Sequence, residues 1–130
     1  MSEASVEVLF FQIDGTRMGA DASQVLRIEA PGAPGDVPGA ITSSLGSARP
    51  RRALVFRAGD GEGTLGVDSV LGVQAVPQRD LRRVPRAARV AAHAIGFFLD
   101  GDRPILLIDL PRTLHPFAPP HARAPAGKAT

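Results

Sequence analysis

Apolar residues in this chain fall in short blocks punctuated by Gly, Asp and Pro, a rhythm of strands and tight turns rather than helices. Val6 to Ile13 is nearly continuous in apolar character, as expected of a strand covered on both faces. Asp14 and Gly15 then signal a hairpin, because Gly supplies a positive φ without steric cost. Thr16 to Ala20 is the return strand, and Asp21 or Ser23 can cap a short helical turn ending near Arg27. Ala53 to Ala58 and Thr64 to Val67 form a second hairpin around Asp60 to Gly63. Val70, Leu71, Val73 and Val76 continue as extended chain into Pro77. Ile95 to Leu99 and Ile105 to Leu110 form a third hairpin, turning at Asp100, Gly101 and Asp102. Its return strand is the most apolar segment and is expected to lie centrally.

One phrase occurs twice. Arg17 to Asp21, followed by Val25 to Pro31, returns as Thr64 to Asp68, followed by Val70 to Pro77. Each copy follows an apolar strand and a tight turn. A repeat at this spacing predicts two related small β units, neither able to bury its apolar face alone. Only the second copy is followed by a further hairpin. One half therefore reads as complete and the other as cut short.

Between the halves, Pro31 to Arg52 carries Pro31, Gly32, Pro34, Gly35, Pro38, Gly39, Gly46 and Pro50 with little periodicity. A loop this long inside a compact domain is normally functional, disordered or a hidden element. Ile41 and Leu45 are its main aliphatic residues apart from Val37. Gln78 to Arg89 is Arg-rich, is interrupted by Pro85, and predicts a turn of helix and a loop. Residues 116–130 are rich in Pro and Ala and predict a disordered tail.

Composition narrows the function classes. At 130 residues and 44% hydrophobic, the chain predicts one compact unit with a real core. No apolar run approaches the roughly 20 residues that span a bilayer, and no signal peptide is evident, so a cytoplasmic location without membrane insertion is the expectation. The absence of cysteine removes disulfides and thiolate metal sites. A pI of about 10.4 overstates the charge. Net charge is only +2, and without Tyr or Cys little titrates between His and Arg, so the pI does not by itself argue for a nucleic-acid partner.

Candidate chemistry is sparse. Gly61, Gly63 and Gly66 match a dinucleotide-binding spacing, but that site needs a helix directly afterwards, and Val67, Val70, Val73 and Val76 predict extended chain instead. Asp60 with Glu62, and Asp100 with Asp102, lack the ligand series of a calcium loop and read as turn residues. His93, His115 and His121 assemble no catalytic triad or metal-ligand spacing. Arg79, Arg82, Arg83, Arg86 and Arg89 form a charge run without interleaved aromatics, which reads as a solvated face rather than a nucleic-acid surface. The expectation is a non-enzyme with no cofactor and no metal.

The residues Glu7 to Asp21 with Val25 and Ile28, then Leu65 to Val70 with Val73 and Pro77, then Ile95 and Gly96 through Asp109 and Leu110, resemble the CheW family of chemotaxis coupling proteins. The resemblance spans roughly residues 7–30 and 53–114. It implies an all-β, CheW-like double β-barrel, with the first barrel incomplete and the second intact. The implied organisation is a single domain: 6–30 as an incomplete first β subdomain, 31–52 as a linker replacing a missing hairpin, 53–115 as the second barrel and 116–130 as a tail. It also implies a non-enzymatic adaptor of a bacterial chemosensory array, binding a chemoreceptor cytoplasmic tip in the groove between barrels. By position, Val25, Val70, Val73 and Gly96 fall on family sites of that contact, although the valines can equally be core residues and Gly96 a turn or bulge.

The chain departs from the family after the first repeat, where a Gly-Val/Ile-x-Asn-Leu-Arg-Gly hairpin ending in Pro-Val-x-Asp-Leu is missing. Gly39 to Ile41 reads as its remnant. That hairpin belongs to the barrel facing the kinase, so coupling to a CheA-like histidine kinase is expected to be weakened or lost. The truncated pattern is compatible with a short CheW-like accessory protein, such as those of Frz-type systems. Further partners are another CheW-like protein or a second copy of the chain, and the alternative function is a self-associating structural β module. Losing two strands exposes backbone groups and an apolar face. The expectation is an open edge on the first lobe, with protection of Leu9 to Ile13 as its test and with Ile41 and Leu45 available to plug the gap.

Overall fold

The computed structural model describes residues 4–31, 41–43, 45–84 and 93–114. Its strands are β1 (Ser5–Ile13), β2 (Thr16–Asp21), β3 (Val25–Glu29), β4 (Ile41–Thr42), β5 (Arg52–Ala58), β6 (Gly61–Val67), β7 (Ser69–Pro77), β8 (Leu81–Arg83), β9 (Ala94–Asp100) and β10 (Arg103–Ile108). Short 3-10 turns lie at Ala22–Gln24, Gln78–Asp80 and Leu110–Leu114. The described residues hold no α-helix, and the protein is all-β. The predicted tail, residues 116–130, lies outside the described residues, as do 32–40 and 44 of the linker.

The strands form a six-stranded sheet in the order β7-β1-β2-β10-β9-β8 and a four-stranded sheet in the order β3-β5-β6-β4. The two repeats exchange strands. The first hairpin, β1–β2, receives β7 from the second repeat, while the second hairpin, β5–β6, receives β3 from the first. Each hairpin is then extended by a parallel strand: β10 on β2, and β4 on β6. By this symmetry β4 occupies the place of β10. The four-stranded sheet has no counterpart of β8 and β9 among the described residues. The sequential division into an N-terminal and a C-terminal β unit is therefore corrected, because each sheet takes strands from both repeats. Local alternation reports which face a residue occupies but not which strand lies beside it.

The exchange follows from burial. Leu9, Phe11 and Ile13 of β1 join Leu54 and Phe56 of β5, Leu65 and Val67 of β6, and Ile108 and Leu110 in one core cluster between the sheets. Phe11 and Phe56 hold equivalent places in the two repeats and are fully buried. Each such side chain contributes about 1.5–3 kcal/mol through removal from water, more than either repeat alone could obtain from a single exposed face. The other face of β1 sends Val8 and Phe10 to a second cluster with Val76, Phe98 and Ile105, inside the curl of the six-stranded sheet. Phe10 and Phe98 meet at 5.8 Å between ring centroids in a tilted pair.

The Asp14–Gly15 turn, with both residues at positive φ, is held from two sides. The Gly15 N–H donates to Asp68 Oδ2 at 2.9 Å, and the Ala48 N–H donates to Asp14 Oδ1 at 3.0 Å. The segment after β4 runs along β6. Ser43, Ser47 and Arg51 donate their N–H groups to the carbonyls of Thr64, Gly66 and Val67, at 2.7, 2.9 and 2.8 Å. Leu45 packs against the larger core, as expected of a plug.

Leu9 to Ile13 lie in an interior strand flanked by β2 and β7. The long edge strands among the described residues are β3, within residues 6–30, and β7 of the second repeat. Gly61, Gly63 and Gly66 stand in β6, and extended chain follows them, so a phosphate-cradling helix terminus is absent there.

Candidate interaction surface

β3 and β7 are equivalent in the repeat, and each is an edge strand of its sheet among the described residues. Both display aliphatic side chains to solvent at matching positions: Leu26 and Ile28 on β3, Leu71 and Val73 on β7. The one other large exposed aliphatic residue among those described is Leu99 on β9. Edge strands that carry apolar side chains and unpaired backbone groups are templates for association unless charge or Pro protects them. β7 carries no charge from Ser69 to Val76, whereas β3 carries Arg27 and Glu29.

The residues picked out from sequence separate in the structure. Val25 opens β3 and is partly buried against the larger core, opposite Phe56. Val70 on β7 is likewise partly buried against that core, opposite Phe11. Val73 is 55% exposed and lines a cavity of about 300 Å³ floored by Phe10, Phe98 and Ile105. Arg17 and Asp100 pair at 2.8 Å on its rim. Gly96 is buried in the middle of β9 and lines a different cavity. A Cβ at Gly96 would overlap the Arg82 carbonyl oxygen on β8, so this position needs Gly for close strand approach. Sequence reasoning missed Leu26, Ile28, Leu71 and Leu99. Aligning the two repeats on Val25 and Val70 would have paired Leu26 with Leu71 and Ile28 with Val73, but not shown that their strands were edges.

Charge is organised on the outer face of the four-stranded sheet. Arg27 lies opposite Val55 of β5 and reaches beyond it to Glu62 of β6, with Nη1 and Nη2 at 3.0 and 2.7 Å from the two carboxylate oxygens. Its Nε donates to Glu29. Hydrogen bonding to Glu62, and then to Glu29, pushes the Arg27 guanidinium pKa up. The same contact with Arg27 holds the Glu62 carboxyl below its usual range. Val55, the repeat equivalent of Phe10, is fully buried on this side.

Polar bonds also tie the two repeats near the C-terminal turn. Gln24 Nε2 donates to Asp109 Oδ1 at 2.7 Å, and Gln24 Oε1 accepts the Leu110 N–H at 3.1 Å. His93 immediately precedes β9, and its carbonyl accepts the Asp109 N–H at 2.9 Å. Burial holds its imidazole pKa below the usual value, and its Nδ1 has no hydrogen-bond partner among the described residues. His115 and His121 lie outside those residues. No cluster of three or more His, Cys, Asp or Glu side chains able to hold a metal occurs among the described residues. No helix there is long and apolar enough to cross a membrane.

No family model matches the chain. Among characterised proteins, it is 46% identical over 109 residues to the Frizzy aggregation protein FrzB of Myxococcus xanthus, a match covering 83% of this chain and 94% of that protein. In three dimensions it resembles the scaffolding protein TtCheW of Thermoanaerobacter tengcongensis, with a TM-score of 0.64 and 15% identity, over 89% of this chain and 97% of that one.

Proposed function

The chain belongs to the CheW-like, Frz-type family that includes FrzB, and on that premise we propose that it is a non-enzymatic adaptor of a bacterial chemosensory array. In this reading it binds the cytoplasmic tip of a chemoreceptor through the two equivalent edge strands and the groove beside them. The observation that carries the proposal is the matched display of Leu26 and Ile28 on β3 with Leu71 and Val73 on β7. Partly buried Val25 and Val70 form the floor between strand and core. Val73 supplies an exposed contact, and Gly96 acts indirectly, by letting β8 lie close to β9. A receptor tip that presents aliphatic side chains on a helical surface fits such edges by burying apolar area.

Coupling to a CheA-like histidine kinase is weakened in this reading. The support is the absence of counterparts to β8 and β9 from the four-stranded sheet among the described residues. By the resemblance to the CheW family, the sheet that lacks them among the described residues belongs to the kinase-facing barrel. Pull-downs against purified receptor tip and purified kinase, done separately, test both parts. Capture of the receptor with little or no capture of the kinase is expected. Capture of the kinase alone refutes the reading.

A second reading rests on the uncharged β7 edge. Pairing of this edge with another copy would make the chain a self-associating module. Light scattering at rising concentration separates the two readings, since a receptor adaptor of this kind stays monomeric until receptor is added.

A further inference from the structure

The structure holds a second concave site, sharing no lining residue with the cavity beside Val73. It is a cavity of about 520 Å³ on the six-stranded sheet, with Leu81, Ile95 and Leu107 among its apolar walls and Arg82, Arg83 and Arg112 around it. We infer that this cavity docks an acidic amphipathic segment of a protein partner, through the three guanidinium groups and the apolar walls together.

The charge balance points to an anion. None of the residues lining the cavity is a carboxylate. Two acids stand beside the cavity. Asp109 pairs with Arg112 at 3.5 Å and accepts a bond from Gln24. Asp80 lies 3.8 Å from Arg79, so that Arg82 and Arg83 carry the charge with no carboxylate among the lining residues. Arg82 donates to the carbonyls of Arg79 and Leu81, which fixes its guanidinium without neutralising it. An Arg fork so oriented recognises carboxylates through paired N–H donors. The arginines are exposed while the walls are aliphatic, so the complementary ligand carries acids beside aliphatic side chains.

The chain's own undescribed stretches hold little that matches such a ligand. Residues 85–92 add Arg86 and Arg89, and residues 115–130 add Arg123, Lys128 and two histidines, with no Asp or Glu in either. Residues 1–3 and 32–40 add one acid each, Glu3 and Asp36, without a run of aliphatic residues beside it. Nucleic acid fits poorly as well, because no aromatic side chain lines the cavity for a base to stack on. An acidic protein segment satisfies both the charge and the walls. The inference goes beyond the receptor reading, which rests on β3 and β7.

The test uses the full chain and a fluorescently labelled amphipathic peptide with Glu on one face and Leu on the other, beside the same peptide with Lys in place of Glu. Anisotropy is expected to show binding of the Glu peptide only, weakened by added salt. The double variant Arg83→Glu with Arg112→Glu leaves the backbone bonds of Arg82 in place and is expected to lower affinity at least about tenfold. Val73→Asp is expected to leave it unchanged. A Gln pair at the same two positions guards against a fold effect and is expected to weaken binding less than the Glu pair. Equal binding of the two peptides overturns the inference, as does undiminished binding by the Glu variant. Displacement of the Glu peptide by inorganic phosphate alone, at concentrations matching its own, reduces the site to a simple anion site and also overturns it. Binding to phosphatidylserine vesicles without binding to the Glu peptide assigns the patch to membranes instead. If the charge variants still capture receptor while losing the peptide, this inference and the receptor reading stand separately.

Discussion

Replacing Gly96 by Ala adds one methyl group to the middle of β9, where the structure has no room for it. The new Cβ would overlap the Arg82 carbonyl oxygen, a backbone atom of β8. β8 cannot yield by a rotamer change, and it is held to β9 over three paired positions, Leu81 with Phe98, Arg82 with Phe97 and Arg83 with Gly96. The strand must shift outward, straining or losing bonds that contribute about 1 kcal/mol each. Overpacking of this kind costs about 1–3 kcal/mol in well-packed sites. We therefore expect Gly96→Ala to destabilise the protein by about 2 kcal/mol, offset only slightly by the lower chain entropy of Ala in the unfolded state. With a urea slope of about 1.5 kcal/mol per M, the unfolding midpoint falls by about 1.3 M. Receptor binding by the folded fraction is expected to persist, since Gly96 offers no side chain to a partner. A midpoint within about 0.3 M of wild type, combined with lost receptor binding, would refute this reasoning and make Gly96 a direct contact.

Val73→Asp is expected to change stability by less than about 0.5 kcal/mol, because the side chain is more than half exposed, while abolishing receptor capture. Val70→Asp, by contrast, places a carboxylate against the larger core and is expected to cost about 2 kcal/mol or more in a denaturant melt. Gln24→Leu leaves the Leu110 N–H without its acceptor and the Asp109 carboxylate with Arg112 alone, and is expected to cost about 1–3 kcal/mol, measured in the same way. Buried His93 has a lowered folded pKa, so its stability contribution is complete above its unfolded value of about 6.5 and is lost as pH falls below it. Thermal melts between pH 7.5 and 5 should show that decline, and His93→Leu should flatten it.

The local elements were legible because their causes are local. Asp14 with Gly15 and Asp100 with Gly101 mark hairpins through the backbone freedom of Gly, and the apolar block from Ile105 to Ile108 became the interior strand β10. The Asp21 cap also appears, its carboxylate accepting the Ser23 N–H at 2.9 Å. The repeat itself was visible, but the exchange of β3 and β7 between its copies was not. Val25 and Val70 look like continuations of their own hairpins, and nothing in the spacing says that each pairs with the other copy's first strand. The placement of Gly96 under β8 was hidden for the same reason, since its neighbour Arg82 is positioned by the turn at Gln78–Asp80 rather than by any pattern around Gly96. The exposure of Leu26, Ile28, Leu71 and Val73 depends on which strands end the sheets, a property of topology rather than hydropathy. Arg27 reads in sequence as one of many arginines, and only the sheet order brings it to Glu62.

The central claim is that a chemoreceptor tip is bound along the edges of β3 and β7. Amide hydrogen exchange, followed with and without a purified receptor tip, addresses it residue by residue. In the free protein, Leu9 to Ile13 should exchange slowly, as amides of an interior strand, while the outward amides of Val25–Glu29 and Ser69–Pro77 exchange faster. Added receptor tip should slow exchange in those two edge strands together and leave Leu81–Arg83 unchanged. Slowing confined to β8 and the neighbouring arginines, or no slowing anywhere at saturating receptor, would contradict the account.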